Sequence, residues 1–174
     1  MKKFNTSILF LIFNRPEETK RVFESIKEAK PSKLYLASDG PRSHVIDEEK
    51  IVSEVKLNVL NAIDWDCEVK TLFREKNLGC KIAVSEAISW FFDHEDQGII
   101  LEDDCLPSQS FYRFCEELLN IYKNDLRIWH ISGDNFQNGI ARSEESYYYS
   151  KFSHVWGWAT WKDRWQHYDV MMKS

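Results

Sequence analysis

Residues 98–122 read GIILEDDCLPSQSFYRFCEELLNIY, and this stretch decides the fold. Gly98 to Leu101 is a short, wholly apolar run, as expected of a strand covered on both faces. It stops abruptly at Glu102-Asp103-Asp104. Pro107 and Ser108 then open a helix whose Phe111, Phe114, Cys115, Leu118, Leu119 and Tyr122 follow the 3.6-residue period. The unit is a buried strand, an acidic turn and an amphipathic helix.

The same unit recurs towards the amino terminus. Ser7 to Phe13 is a strand followed by NRPEET and a helix burying Thr19, Val22, Phe23 and Ile26. Lys33 to Ser38 is a second strand, closed by Asp39-Gly40-Pro41, before a helix from about Asp47 to Leu60. Glu68 to Phe73 is a third, followed by Asn77-Leu78-Gly79 and a helix with Ile82, Ala83, Ala87, Trp90 and Phe91. A fifth strand is expected near Arg127 to Ser132, leading into Gly133-Asp134-Asn135. Four βα units in succession imply an α/β fold of three layers, with helices on both faces of a mostly parallel sheet.

The bulk properties agree. The chain has 174 residues, 43% of them hydrophobic and 29% charged, with only 6 Gly and 4 Pro. This suits one domain over residues 1–174 and excludes a disordered or collagen-like chain. A net charge of -5 argues against nucleic acid as a partner. No apolar run approaches transmembrane length. Met1-Lys2-Lys3 before an apolar stretch resembles a secretory signal, but Asn14-Arg15-Pro16 stands where small cleavage-site residues belong. Cys67, Cys80, Cys105 and Cys115 lack metal-binding spacings, so reduced thiols in a cytoplasmic protein are expected.

The last 45 residues differ: the αβ alternation stops, and four of the seven Trp lie between 156 and 165. In SHVWGWATWKDRW, Trp158, Trp161 and Trp165 read either as a packed helical stripe or as faces for sugar rings. Gly157 between Trp156 and Trp158 suggests a close backbone turn. Lys162 to Met172 looks helical and runs on to the last residue, as if a longer protein had been cut.

In an open parallel sheet, ligands bind at the carboxyl ends of the strands. Asn14-Arg15, Asp39-Gly40, Arg74 and Glu102-Asp103-Asp104 each follow a strand at that edge, so they converge although distant in sequence. Three adjacent carboxylates suit Mg²⁺ or Mn²⁺ with phosphates completing the shell, although such a run alone is also an ordinary solvated turn. Asp39 is either a turn residue bonding its own backbone or an acceptor for a nucleobase N–H. Arg15, Arg74 and Lys81 are either solvated or directed at phosphates. There is neither GxGxxG nor a Walker A sequence.

A first strand ending in NRP, a second in SDG, a third followed by NLG and a fourth ending in EDD resemble GT-A glycosyltransferases. Within that fold the chain is similar to the family-2 and N-acetylglucosaminyltransferase I-like enzymes, ISGDNFQNG and VWGWATWKDRW included. The resemblance implies a Rossmann-like GT-A domain that binds a nucleotide diphosphate sugar, with a UDP-sugar favoured, and a divalent Mn²⁺ or Mg²⁺. It implies inverting transfer to a carbohydrate acceptor, as in bacterial surface-polysaccharide assembly. On it, Asp39 would meet the nucleobase, Arg15 the phosphates, Glu102 and Asp103 the ribose and donor sugar, and Asp104 the metal, with Asp103 beside it. Asn14, Arg74 and Lys81 would complete the nucleotide-sugar site, and Trp156, Gly157 and Trp158 would lie on the acceptor side, within a Trp-rich segment 145–174. The carboxylate base of similar enzymes lies in a Trp-Asp segment beyond position 174, where peripheral membrane contact through further regions is also open. Two other classes remain: a sugar nucleotidyltransferase, which NRPEET argues against by having no glycine, and a non-catalytic carbohydrate-binding or interaction module.

Overall fold

The computed structural model describes residues 4–137, 139–140 and 143–173. Met1 to Lys3 of the signal-like start, Asn138 of ISGDNFQNG and the final Ser174 lie outside them. The element order is β1 (Ile8–Ile12), α1 (Pro16–Ala29), β2 (Lys33–Ser38), α2 (Glu48–Asn61), β3 (Glu68–Phe73), α3 (Cys80–His94), β4 (Gln97–Glu102), α4 (Gln109–Ile121), β5 (Ile131–Ser132), β6 (Trp158–Trp161) and α5 (Lys162–Trp165). The strands form one six-stranded sheet in the order β3-β2-β1-β4-β6-β5.

The first four strands are parallel, with Ile8 of β1 opposite Leu34 of β2 on one side and Ile99 of β4 on the other. Because parallel crossovers are right-handed in about 98% of cases, strand order dictates helix placement. Going β1 to β2 to β3 moves outward in one direction, so α1 and α2 share a face; returning from β3 to β4 beside β1 puts α3 on the opposite face. Packing bears this out. Val22 and Ile26 of α1, Val55 and Val59 of α2 and Leu119 of α4 share a core with Ile8, Phe10 and Leu36. Ala87, Ile88, Phe91 and Phe92 of α3 pack on Leu9, Leu11, Tyr35 and Ile100. The sequence-predicted three-layer, Rossmann-like α/β/α arrangement is the one observed.

The carboxyl-terminal third departs from expectation. WATW forms a strand, β6, antiparallel to β4 with Ile99 opposite Ala159, in place of a helical stripe. Positions 158 and 161 share a face on a helix but lie on opposite faces of a strand. Accordingly Trp161 and Ala159 join the α4-side core, while Trp158 joins the α3-side core with Trp165 against it. The fifth strand shrinks to Ile131–Ser132, and the helix expected to Met172 ends at Trp165. All four cysteines are free thiols.

Candidate functional site

Strand order reverses between β1 and β4, and the carboxyl ends of these two strands are where an open α/β sheet leaves a crevice. Phe13, Asn14 and Arg15 leave β1 there, and Asp103 and Asp104 leave β4. The two loops are joined through charge. The buried Asp103 carboxylate accepts the Phe13 N–H at 3.1 Å and Arg15 Nη1 at 3.2 Å, and the same Nη1 also donates to Asp104. Asp103 is 7% exposed, whereas the Arg15 side chain is 51% exposed, so the guanidinium covers the pair from the solvent side.

The cluster is unbalanced: Glu102, Asp103 and Asp104 face one guanidinium. Burial pushes the Asp103 carboxyl up, against the pull of Arg15. Glu102 is pushed up by burial and then by the charges of Asp104 and Asp103, and Arg15 is held above its ordinary value chiefly by Asp103. Three carboxylates against one guanidinium leave the cluster net negative, which is why burial and mutual repulsion raise Glu102 and Asp103.

The ends of β2 and β3 are stitched by Asp39. Its carboxylate accepts N–H groups from Gly40 at 2.9 Å, from Leu78 at 3.0 Å to both oxygens, and from Gly79 at 3.0 Å. Asn77 Nδ2 returns a bond to the Gly40 carbonyl at 2.8 Å. A Cβ on Gly40 would stand 2.5 Å from the Lys76 backbone, so only glycine lets the SDG and NLG turns meet. Arg74 reaches Glu86 at 2.8 Å, and Lys81 is exposed in the first turn of α3. Asn14, Arg15, Asp103 and Asp104 are thus brought together, with Glu102 beside them, and Asp39 organises the neighbouring turns. The Arg74 side chain is tied to α3 instead, and Lys81 stands on that helix.

Glu48 was not singled out by the sequence, where an acidic residue opening a helix reads as a solvated partner of the helix dipole. It is 1% exposed. It accepts Asn14 Nδ2 at 2.7 Å, the Arg42 N–H at 2.6 Å and Arg42 Nε at 3.0 Å, with Arg42 Nη2 closing the pair. Hydrogen bonding by Arg42 holds its carboxyl at about 2. Because the folded value lies below the unfolded value of about 4.3, this stabilisation is present above that value and is lost as pH falls towards 2. Acid unfolding followed at several pH values is expected to steepen across that window, and Glu48→Gln to flatten it; an unchanged acid limb would refute the assignment.

Beyond β4 the loop opens on a cleft of about 460 Å³, lined by Asp104, Cys105, Phe111, Gly133, Asp134, Trp156 and Gly157 among others. Trp156 is 60% exposed, and Gly157 holds a left-handed φ of 83° where the chain turns into β6. The Gly133 N–H bonds the Gly157 carbonyl at 3.0 Å, closing the wall. Burial pushes the Cys105 thiol up to about 12, so it is a protonated wall group and no nucleophile at neutral pH. Trp158, expected on the acceptor side with Trp156 and Gly157, is 9% exposed and packs under α3; a strand alternates its faces, and this one points into the core.

Among the described residues no three His, Cys, Asp or Glu side chains converge as a metal cage. Asp103 and Asp104 nevertheless supply hard oxygen donors of the kind Mg²⁺ takes, one or two carboxylates with substrate phosphates and water filling the shell. Arg15 shows that a positive charge fits between them. The pair is chemically suited to a divalent cation. No helix among the described residues is long and apolar enough to cross a membrane.

The fold is that of open, Rossmann-like α/β proteins, and solved structures share it. One similar structure is 4-diphosphocytidyl-2C-methyl-D-erythritol synthase from Anaerococcus prevotii DSM 20548, with a TM-score of 0.50 and 9% identity, over 91% of this chain and 71% of that one. No protein-family model matches the chain, and no curated protein matches its sequence.

Proposed function

We propose that the protein binds a nucleotide diphosphate sugar, a UDP-sugar first among them, and takes part in inverting glycosyl transfer to a carbohydrate hydroxyl. One observation carries this reading: the Arg15–Asp103–Asp104 cluster stands at the β1/β4 reversal, and its Asp104 lines the cleft that Trp156 also borders. The nucleoside lies towards the β1, β2 and β3 ends, where Asn14 and the Asp39 turn are; the diphosphate meets Arg15; the sugar enters the cleft. Arg15 offsets the charge that develops on the departing diphosphate, while Arg74, paired with Glu86, and Lys81 on α3 stand apart from it. Glu102 and Asp103 flank the ribose and donor sugar. Asp104 and Asp103 would hold Mn²⁺ or Mg²⁺, which when bound supplies Lewis-acid stabilisation of the leaving group. Trp156 offers a ring face to the acceptor at the cleft mouth.

A second reading is a sugar nucleotidyltransferase, favoured by the solved structure whose name specifies a diphosphocytidyl product. The β1–α1 turn, Phe13-Asn14-Arg15, and the first turn of α1 have no glycine to let a triphosphate approach the backbone. Formation of a nucleotide sugar from a nucleoside triphosphate and a sugar phosphate would favour this second reading.

Thermal melts with UDP, GDP, CMP and ADP, each with and without Mn²⁺, test the donor site. A ligand at 100 times its Kd stabilises by about 2.7 kcal/mol, or several degrees at ~2–4 °C per kcal/mol. One nucleotide is expected to raise Tm, with the rise abolished by chelation. Glycan binding without nucleotide or metal, and no shift with any nucleotide, would point instead to a binding module built on the Trp-rich segment.

A further inference from the structure

The SDGPR motif holds a second arginine that the donor site above does not use. Arg42 stands on the loop leaving β2, and its guanidinium is fixed on two sides. Its side-on edge, Nε and Nη2, lies on the carboxylate of Glu48, a residue 1% exposed. Its flat face lies over the Phe13 ring, 5.7 Å from the centroid, at the very end of β1. The same Glu48 oxygen that binds Nε also accepts Asn14 Nδ2, so Arg42, Phe13 and Asn14 form one locked group. The Arg42 side chain is still 43% exposed, and Nη1 is outside the Glu48 pair.

A partly exposed guanidinium held by a buried carboxylate, with one nitrogen outside that pair, is a preorganised donor. It stands at the β1/β2 end, on the nucleoside side of Arg15. The Asp39 carboxylate of the same loop already accepts three backbone N–H groups, so it is occupied by the SDG and NLG turns, while Arg42 keeps a donor nitrogen outside its ion pair. We propose that Arg42 reads the nucleobase, donating from Nη1 to a carbonyl oxygen, and that Glu48 is the residue that positions it. Uracil and guanine carry such an oxygen; adenine carries an amino donor at the corresponding place and is rejected. This rests on the donor-site reading and goes beyond it by naming the specificity residue.

The test measures binding of UDP, GDP, ADP and inorganic pyrophosphate by calorimetry to the wild type, Arg42→Gln, Arg42→Lys, Glu48→Gln and the double variant Arg42→Gln/Glu48→Gln. The wild type is expected to prefer UDP or GDP over ADP. Arg42→Gln lowers that affinity by about 10- to 100-fold, the range of a hydrogen bond to a charged group. Pyrophosphate binding stays within about twofold, the preference over ADP collapses, and Arg42→Lys, lacking the planar fork, recovers little. Glu48→Gln weakens the same nucleotide, and its effect is smaller in the Arg42→Gln background than in the wild type, because the part of it that runs through Arg42 is already lost while the bond to Asn14 is lost in both. A merely structural latch would weaken all four ligands alike. That result, or an unchanged base preference in Arg42→Gln, overturns the proposal while leaving the donor site standing. A wild type that binds no nucleoside diphosphate overturns both.

Discussion

Replacing Arg164 by leucine is expected to lower the stability of the protein by about 3 kcal/mol, the scale of losing charged hydrogen bonds to partly buried carbonyls. At ~2–4 °C per kcal/mol this is a fall in Tm of roughly 6–12 °C. The Arg164 side chain is 4% exposed. From α5 its Nη2 donates to the carbonyls of Tyr122, Lys123 and Asp125, at 3.2, 3.0 and 3.3 Å. These carbonyls lie in the turn just past the end of α4, where those of Tyr122 and Asp125 also accept the backbone N–H groups of Asp125 and Ile128 at 3.0 Å. The guanidinium also lies 4.4 Å from the centroid of Trp161. The ion pair with Asp163, itself 56% exposed, adds little because water screens it. Arg164→Lys keeps the charge but offers no fork, so it falls between wild type and leucine. Denaturant melts decide the matter: a loss below about 1 kcal/mol for leucine would mean that the carbonyls find water instead.

Asp104→Ala carries the largest functional effect. The Mn²⁺-dependent binding of the nucleotide is expected to weaken by at least about 100-fold, since one of two carboxylates that would hold the cation is gone. The unliganded protein should melt within about a degree of wild type, or slightly above it. The Asp104 side chain is 46% exposed, Arg15 keeps Asp103 as partner, and a like charge beside Glu102 and Asp103 has been removed. Calorimetry in Mn²⁺ and in a chelator separates the two contributions. Undiminished Mn²⁺-dependent binding in Asp104→Ala would remove this residue from the metal assignment.

Both variants show where local sequence stops informing. Arg164 sits in WKDRW, a segment that reads equally as a helical stripe or a sugar-stacking face. Only its reach to the end of α4, about 40 positions earlier in the chain, gives it a structural duty. Asp104, by contrast, was legible, because a carboxylate ending a doubly covered strand falls at the sheet's carboxyl edge whatever else the fold does. Asp39 lies between these cases. Its place at that edge was legible, but not its bonds to Leu78 and Gly79, which exist because β3 pairs beside β2.

By itself the sequence determined the four βα units, and with them the parallel sheet, the helix faces and the edge at which the motifs gather. Those follow from periodicity, which is a property of neighbours in the chain and survives in any packing. Tertiary structure alone decided that β6 adds antiparallel to β4 and turns Trp158 inward, that Glu48 is buried and holds Asn14 and Arg42, and that Arg15 bridges Asp103 and Asp104. Each of these depends on which distant segment completes a hydrogen bond or excludes water, and a side chain's burial and charge environment are set by that partner, not by its own neighbours in sequence.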